Sequence, residues 1–333
     1  MQAIRERRLW TACAVLLAVI SLEGCSDPAG SQKHNAAGDS SSVAVSNAEP
    51  SIPPLIPTEN GDPSKPVDFE GGGAVVRADG SMILPLDTYI SADDESTIVR
   101  AENALAQKCM QAKGIELPKS LALNTGPQAP APYVLYGLID IDSAKIYGYR
   151  EPHPIKSRND SASPDAKVTP AVEQAYFGDP KRDDGCAGQA RRKLGGQNAR
   201  TLFTYVQELR SQSLAATNRD GRVTAVVSKW SACMRESGYD YPNPLAPGHD
   251  RSLLGRGLPV PPGATLPPPS PAEIAAAVTD IKCKRRTNYL QTAALVSAAY
   301  EQEIIAKHAS ELRDAQAKQR LKLQESKEIL QGG

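Results

Sequence analysis

The sequence predicts a mainly helical fold: two tandem disulfide-stapled helical modules after a disordered tether, with a long C-terminal helix. Three observations predict it. Aromatic residues make up only 5% of the 333-residue chain, leaving a core of Ala, Leu and Val, which packs as close helices more readily than as sheets. A Cys-Met pair recurs, at Cys109-Met110 and Cys233-Met234, and is followed at identical spacing by Gly114 and Pro118 and by Gly238 and Pro242. The cysteines beyond the N-terminal region are even in number, as in an exported chain that forms disulfides.

The N-terminus carries the export signal. Arg5, Arg7 and Arg8 precede an apolar run from Leu9 to Leu22, and Gly24 stands before Cys25. Residues 1–24 thus read as a secretory signal peptide. The junction resembles the bacterial lipobox, in which the cysteine becomes the lipidated first residue, although Glu23 stands where a small residue is usual. The expectation is a lipoprotein held to the outer face of the cell membrane by acyl chains, palmitate among them, on Cys25. Each buried methylene would contribute about 0.8 kcal/mol to that attachment. Elsewhere no apolar run approaches the ~20 residues that span a bilayer.

Residues 25–72 are expected to form the tether, because their Ser, Gly, Pro and Asn cannot bury enough apolar surface to offset chain entropy. Ala74–Val76 and Met82–Leu84 then flank Ala78-Asp79-Gly80 as a short hairpin.

The first module is assigned to 73–198. Ser91, followed by Asp94 and Glu95, starts a helix whose apolar face carries Val99, Ala106, Cys109 and Met110. Gly114 supplies the positive φ that a helix end favours, and Pro118 prevents a restart. Asp142 is expected to cap a short helix over Ser143–Tyr147, closed by Gly148. Tyr133, Tyr136, Tyr147 and Tyr149 gather in this long connection as a candidate partner surface, with packing as a small aromatic core the bland alternative. Pro152–Pro170 reads as irregular, and Cys186, Ala190 and Leu194 as one helix face.

The second module is assigned to 199–333. Leu202, Tyr205, Val206 and Leu209 mark a helix, and Val223, Val226, Val227, Trp230, Cys233 and Met234 another, closed by Gly238. After the Pro/Gly-dense Pro242–Pro269, Ser270-Pro271-Ala272-Glu273 is a hydroxyl cap, a proline at the first position and a glutamate three after the cap. No proline or glycine interrupts the chain from there to Gln331. One straight helix of that length would reach about 90 Å, so a bend or break is expected. Its charged end, Ser310–Ile329, is expected to project into solvent, or to pair with a partner as a coiled coil.

Of the six cysteines, Cys13 leaves with the signal and Cys25 takes the lipid, so Cys109, Cys186, Cys233 and Cys283 remain. If each module staples itself, the pairs are Cys109 with Cys186 and Cys233 with Cys283. Joining Cys109 to Cys233 is the competing connectivity.

Lys and Arg match Asp and Glu at 38 each, so no electrostatic footprint for nucleic acid is present. His34, His153, His249 and His308 have no second histidine at metal-ligand spacing, and no nucleophile elbow or phosphate-cradling loop occurs. Asp140 and Asp142 alternate, but no calcium-loop glycine and closing glutamate follow. Asp183 and Asp184 are the remaining carboxylate pair, and a helix start favours them for its dipole alone. No catalytic residue, metal or cofactor is assigned.

The lipobox-like Cys25, the paired Cys-Met-x-x-x-Gly-x-x-x-Pro motifs, Tyr136-Gly137, Tyr147-Gly148-Tyr149 and Gly185-Cys186-Ala187 together resemble secreted lipoproteins of actinobacteria. The resemblance implies a membrane-tethered, extracytoplasmic protein and supplies no activity. The expected function is a non-enzymatic binding or interaction protein of the envelope, whose partner is an envelope protein or a wall component. The alternatives are a solute-binding lipoprotein of a transporter, normally two α/β lobes, and an envelope hydrolase.

Overall fold

The computed structural model describes residues 48–55, 69–77, 81–118, 121–122, 135–150, 168–179, 181–195, 201–254 and 268–332. The signal peptide, Cys25, Tyr133 and the tether as far as residue 47 lie outside them. What is described is mainly helical, with two disulfides, and it belongs to one unit running from Ala44 to Gly333.

Three short antiparallel strands open the fold, in spatial order β1 (Phe69–Gly71), β2 (Ala74–Val76) and β3 (Met82–Ile83). β2 and β3 form the expected hairpin. β1 adds to it through Gly72 and Gly73, whose φ of 57° and 84° suit the two-residue turn between strands. The tether expected over 25–72 is therefore ordered at its end. Residues 48–53 also lie on the fold, with Pro50 buried and Ile52 packed against the cluster of Ala216, Val223, Val296 and Tyr300.

A 3-10 turn, Pro85–Tyr89, leads into α1 (Ala92–Ala112), where the Ser91 side chain accepts the Asp94 amide at 3.2 Å. α6 (Gly221–Glu236) is its counterpart in the second unit. Both helices end in the same way. The Ile115 amide returns to the Met110 carbonyl and the Gly114 amide to Gln111; Tyr239 returns to Met234 and Gly238 to Arg235. Gly114 and Gly238 hold φ of 71° and 87°, and a Cβ at either would meet nothing within 4 Å. Backbone conformation alone selects glycine there. Met110 and Met234 are fully buried, each in one cluster with the Ile115 or Tyr239 that follows its cap, which is the apolar contact this motif favours. The repeated Cys-Met-x-x-x-Gly thus encodes one local structure twice.

Between them lie α2 (Ile141–Tyr147), α3 (Pro170–Phe177), α4 (Cys186–Lys193) and α5 (Leu202–Thr217). Asp140, not Asp142, caps α2, accepting the amides of Asp142 and Ser143, while Asp142 pairs with Lys145 at 2.8 Å. A carboxylate two residues further back reaches the free amides without leaving extended backbone.

After the four-residue α7 (Arg251–Leu254), the proline-free C-terminal stretch breaks twice. α8 (Pro271–Arg286) ends where Asn288 takes left-handed φ (56°), α9 (Tyr289–Lys307) ends at His308, and α10 (Ala309–Gln331) follows. α9 is the central helix: every residue from Gln291 to Glu301 is buried, against α5, α6, β2 and α8. A helix so enclosed needs small residues all round, which Ala293, Ala294, Ala298 and Ala299 supply.

α10 does not project. Its start buries Leu312 among Leu86, Val206, Leu209 and Ile304, and the rest packs along α1, where Gln319 donates to Glu95 at 2.6 Å and Lys322 to Glu102 at 2.8 Å. Lys322 and Gln319 face α1, while the other charges of the helix, such as Arg313, Lys318 and Glu328, stay on its solvent side. This contact, and that of α2 on α8, cross the expected boundary between modules 73–198 and 199–333, so the two sequence units share one body.

Candidate functional site

Buried polar chemistry concentrates between α6 and α8. α6 places Trp230 and Cys233 three residues apart on one face, and α8 places Asp280 and Cys283 likewise. Cys233 bonds to Cys283 with Cα atoms 5.7 Å apart. One turn back, the Trp230 indole N–H donates to Asp280 Oδ1 at 2.9 Å. Lys284 Nζ donates to Asp280 Oδ2 at 3.0 Å and to the Leu138 carbonyl at 2.8 Å. Trp230, Asp280 and Lys284 are all fully buried. Burial pushes the Asp280 carboxyl up, opposed by the Lys284 ammonium and the Trp230 donor. Burial pushes Lys284 down, opposed by Asp280.

The segment before α2 seals this pair. Gly137 holds φ of 71°, and a Cβ there would stand 2.5 Å from the Pro244 carbonyl oxygen and 2.8 Å from Lys284 Nζ. Here glycine is required both by conformation and by space. The Tyr149 hydroxyl donates to the Ala276 carbonyl at 3.3 Å, and burial pushes its pKa up. Glu273, fully buried, accepts the Tyr149 amide at 3.2 Å and faces Arg150 at 3.5 Å. Ser270 caps α8 by accepting the Glu273 amide at 3.1 Å, but the Glu273 carboxylate is turned inward rather than back to the cap. At the rim, Tyr241 donates to Asp250 at 2.8 Å; hydrogen bonds from Ser252 and then Tyr241 hold Asp250 at about 2.

The first unit has the frame without the filling. Cys109 bonds to Cys186 with Cα atoms 5.6 Å apart, so both bridges are internal to their units. Asp183 precedes Cys186 by three, as Asp280 precedes Cys283, but Ala106 stands where Trp230 would and Ala187 where Lys284 would. With neither donor available, Asp183 takes a positive φ (49°) before α4 and pairs with Arg191 at the surface. Asp184 accepts the Asp179 amide at 2.8 Å, which holds its carboxyl low. These two acids order a loop and do not converge. The second half of the repeat is thus not structurally equivalent: Cys186 begins a helix and Cys283 lies near the end of one.

A second buried cluster hangs on α9. Glu301, 1% exposed, accepts the Leu86 amide at 2.8 Å and faces Arg210, which also pairs with Asp87. Burial raises its pKa to about 7 against the Leu86 amide and the Arg210 charge. One turn away, Ser297 Oγ receives the Tyr136 hydroxyl at 2.8 Å and lies 3.2 Å from Thr217 Oγ1.

Of the tyrosines proposed as a partner surface, one is spent in this interior. Tyr136 is buried, 3% exposed, with its hydroxyl on α9. Tyr149 lies half-buried on α8, and Tyr147 is half-buried at the end of α2. Gly137 and Gly148 bring the backbone close to Lys284 and Glu273, which sets the hydroxyls of the neighbouring Tyr136 and Tyr149 on α9 and α8. Among the described residues, no group of three or more His, Cys, Asp and Glu side chains is placed to hold a metal ion, and no helix is long and apolar enough to cross a membrane.

Comparison with protein-family models, with curated proteins and with solved structures gives no match to this chain.

Proposed function

We propose that the chain is an exported lipoprotein, fastened to the outer face of the membrane through Cys25, that acts by binding another envelope component rather than by catalysis. The observation that carries the export half is the pairing of all four cysteines beyond Cys25 in two disulfides, which belongs to an oxidising compartment. The arginine-led apolar run before Cys25 supports the same location. For the binding half, the support is where the polar groups go. Asp280 is engaged by Trp230 and Lys284, Glu273 by Arg150 and the Tyr149 amide, and Glu301 by Leu86 and Arg210. Each works as an internal tie.

Two measurements test the reading. Cys25→Ser should move the protein from the membrane fraction to the soluble fraction and abolish incorporation of a labelled fatty acid. Cross-linking in intact cells should then capture an envelope protein or wall fragment. Turnover of wall-derived material by the purified chain would refute the binding role.

A further inference from the structure

The segment before the sheet is seated in a groove rather than trailing from the fold. Glu49 Oε1 accepts the Gly221 amide at the start of α6 at 2.7 Å, and its other oxygen faces Arg222 Nε at 3.8 Å. Arg222 Nη1 donates to the Pro50 carbonyl at 2.8 Å, while Asp220 holds the rest of the guanidinium. Three residues beyond Glu49, Ile52 enters between α5, α6 and α9, among Ala216, Val223, Val227 and Val296. Glu49 and Pro50 supply the polar contacts and Ile52 the apolar one, while the Ser51, Pro54 and Leu55 side chains remain exposed.

We infer that this groove is a binding site for extended peptides of the pattern Glu-Pro-x-Ile, and that residues 49–52 are its resident occupant. Each feature of the groove reads one element of the pattern. The first α6 amide and Arg222 read the carboxylate, where the helix dipole also favours an anion. The Arg222 guanidinium reads the carbonyl of a proline whose ring fixes the extended path. The three-helix groove reads a β-branched aliphatic side chain. The occupant pairs with no strand, and a covalently linked ligand is held at an effective concentration in the mM range. An external peptide of the same pattern therefore displaces the segment once supplied at a concentration comparable with that of the linked one. The inference rests on the reading of the chain as a binding protein and names the chemistry of its partner; peptide binding in solution tests it separately from attachment through Cys25.

The test uses the chain with Cys25→Ser and a fluorescent synthetic peptide of residues 47–55. Adding Glu49→Lys and Ile52→Asp to the protein should free the groove. This variant should bind the peptide saturably and at least tenfold more tightly than protein with its own segment intact, and a peptide with Ile52→Asp should not bind. A folded variant, with both disulfides formed, that fails to bind would overturn the inference. Should the variant not fold, a peptide with a photoreactive leucine in place of Ile52 is added to protein with its segment intact. Cross-links at Val223, Val227 or Val296 uphold the inference, and cross-links elsewhere or none overturn it.

Discussion

Trp230 and Asp280 meet across 50 residues of sequence, the indole N–H on the carboxylate at 2.9 Å, in the same register as the sulfur bridge three residues later in each helix. Neither Asp280 nor Lys284 tolerates burial alone. The carboxylate needs the indole and Lys284, and Lys284 needs the carboxylate and the Leu138 carbonyl.

Lys284→Met should therefore cost about 3–5 kcal/mol in urea unfolding, because it strands a buried charge. Adding Asp280→Asn to it should recover part of that loss, since the amide oxygen still accepts from Trp230 and carries no charge. A double variant no more stable than the single would show that Asp280 was not the stranded group.

The glycines separate conformation from space. Gly238→Ala should cost about 1–2 kcal/mol, the penalty of a left-handed backbone with free room around it. Gly188→Ala should cost about 3 kcal/mol or more, because its Cβ would be driven into the Asp183 carbonyl, 1.8 Å away. Equal thermal shifts for the two would contradict this division.

Glu301 sets a pH dependence. Its pKa of about 7 in the fold lies above its unfolded value, so the fold binds the extra proton and stability from this group is present at low pH and lost as pH rises from about 4.5 to about 7. The loss should approach ~3 kcal/mol. Glu301→Gln keeps an acceptor for the Leu86 amide and should flatten that part of the stability–pH curve; an unchanged slope would assign it to another group.

The two bridges should contribute nearly alike. The loops they close span 77 and 50 residues, for which chain entropy predicts about 4.5 and about 4 kcal/mol. Paired Cys→Ala variants, compared by denaturant midpoint, would test this. A second bridge worth far more than the first would mean that the Asp280 cluster depends on it.

The sequence made the helices legible because apolar spacing, a hydroxyl cap and a closing glycine coincide, as at Ser91 with Gly114. The cysteine pairing was legible because the repeat separates the units. The Asp280–Lys284 pair is hard to see in the sequence, although its signal is present: two opposite charges four apart on the face that holds Ala276, Ala277 and Ile281. A charge on an apolar stripe looks solvated until its partner is known, and Trp230 lies 50 residues away. The path of α10 was hidden for the same reason, since Glu95 and Glu102 become its partners only once the chain has returned. The docking of Glu49 was hidden by composition: a segment rich in proline and serine gains order here from a helix start it cannot announce.

Trp230 with Asp280, and Cys233 with Cys283, advance together along both helices, so α6 and α8 run in the same sense where they touch. The sequence that joins α6 to α8 is dense in Pro and Gly. A protease that cuts anywhere between the two helices would leave two fragments held by sulfur. Such a clipped molecule would migrate as one species on a non-reducing gel and come apart only when thiol is added.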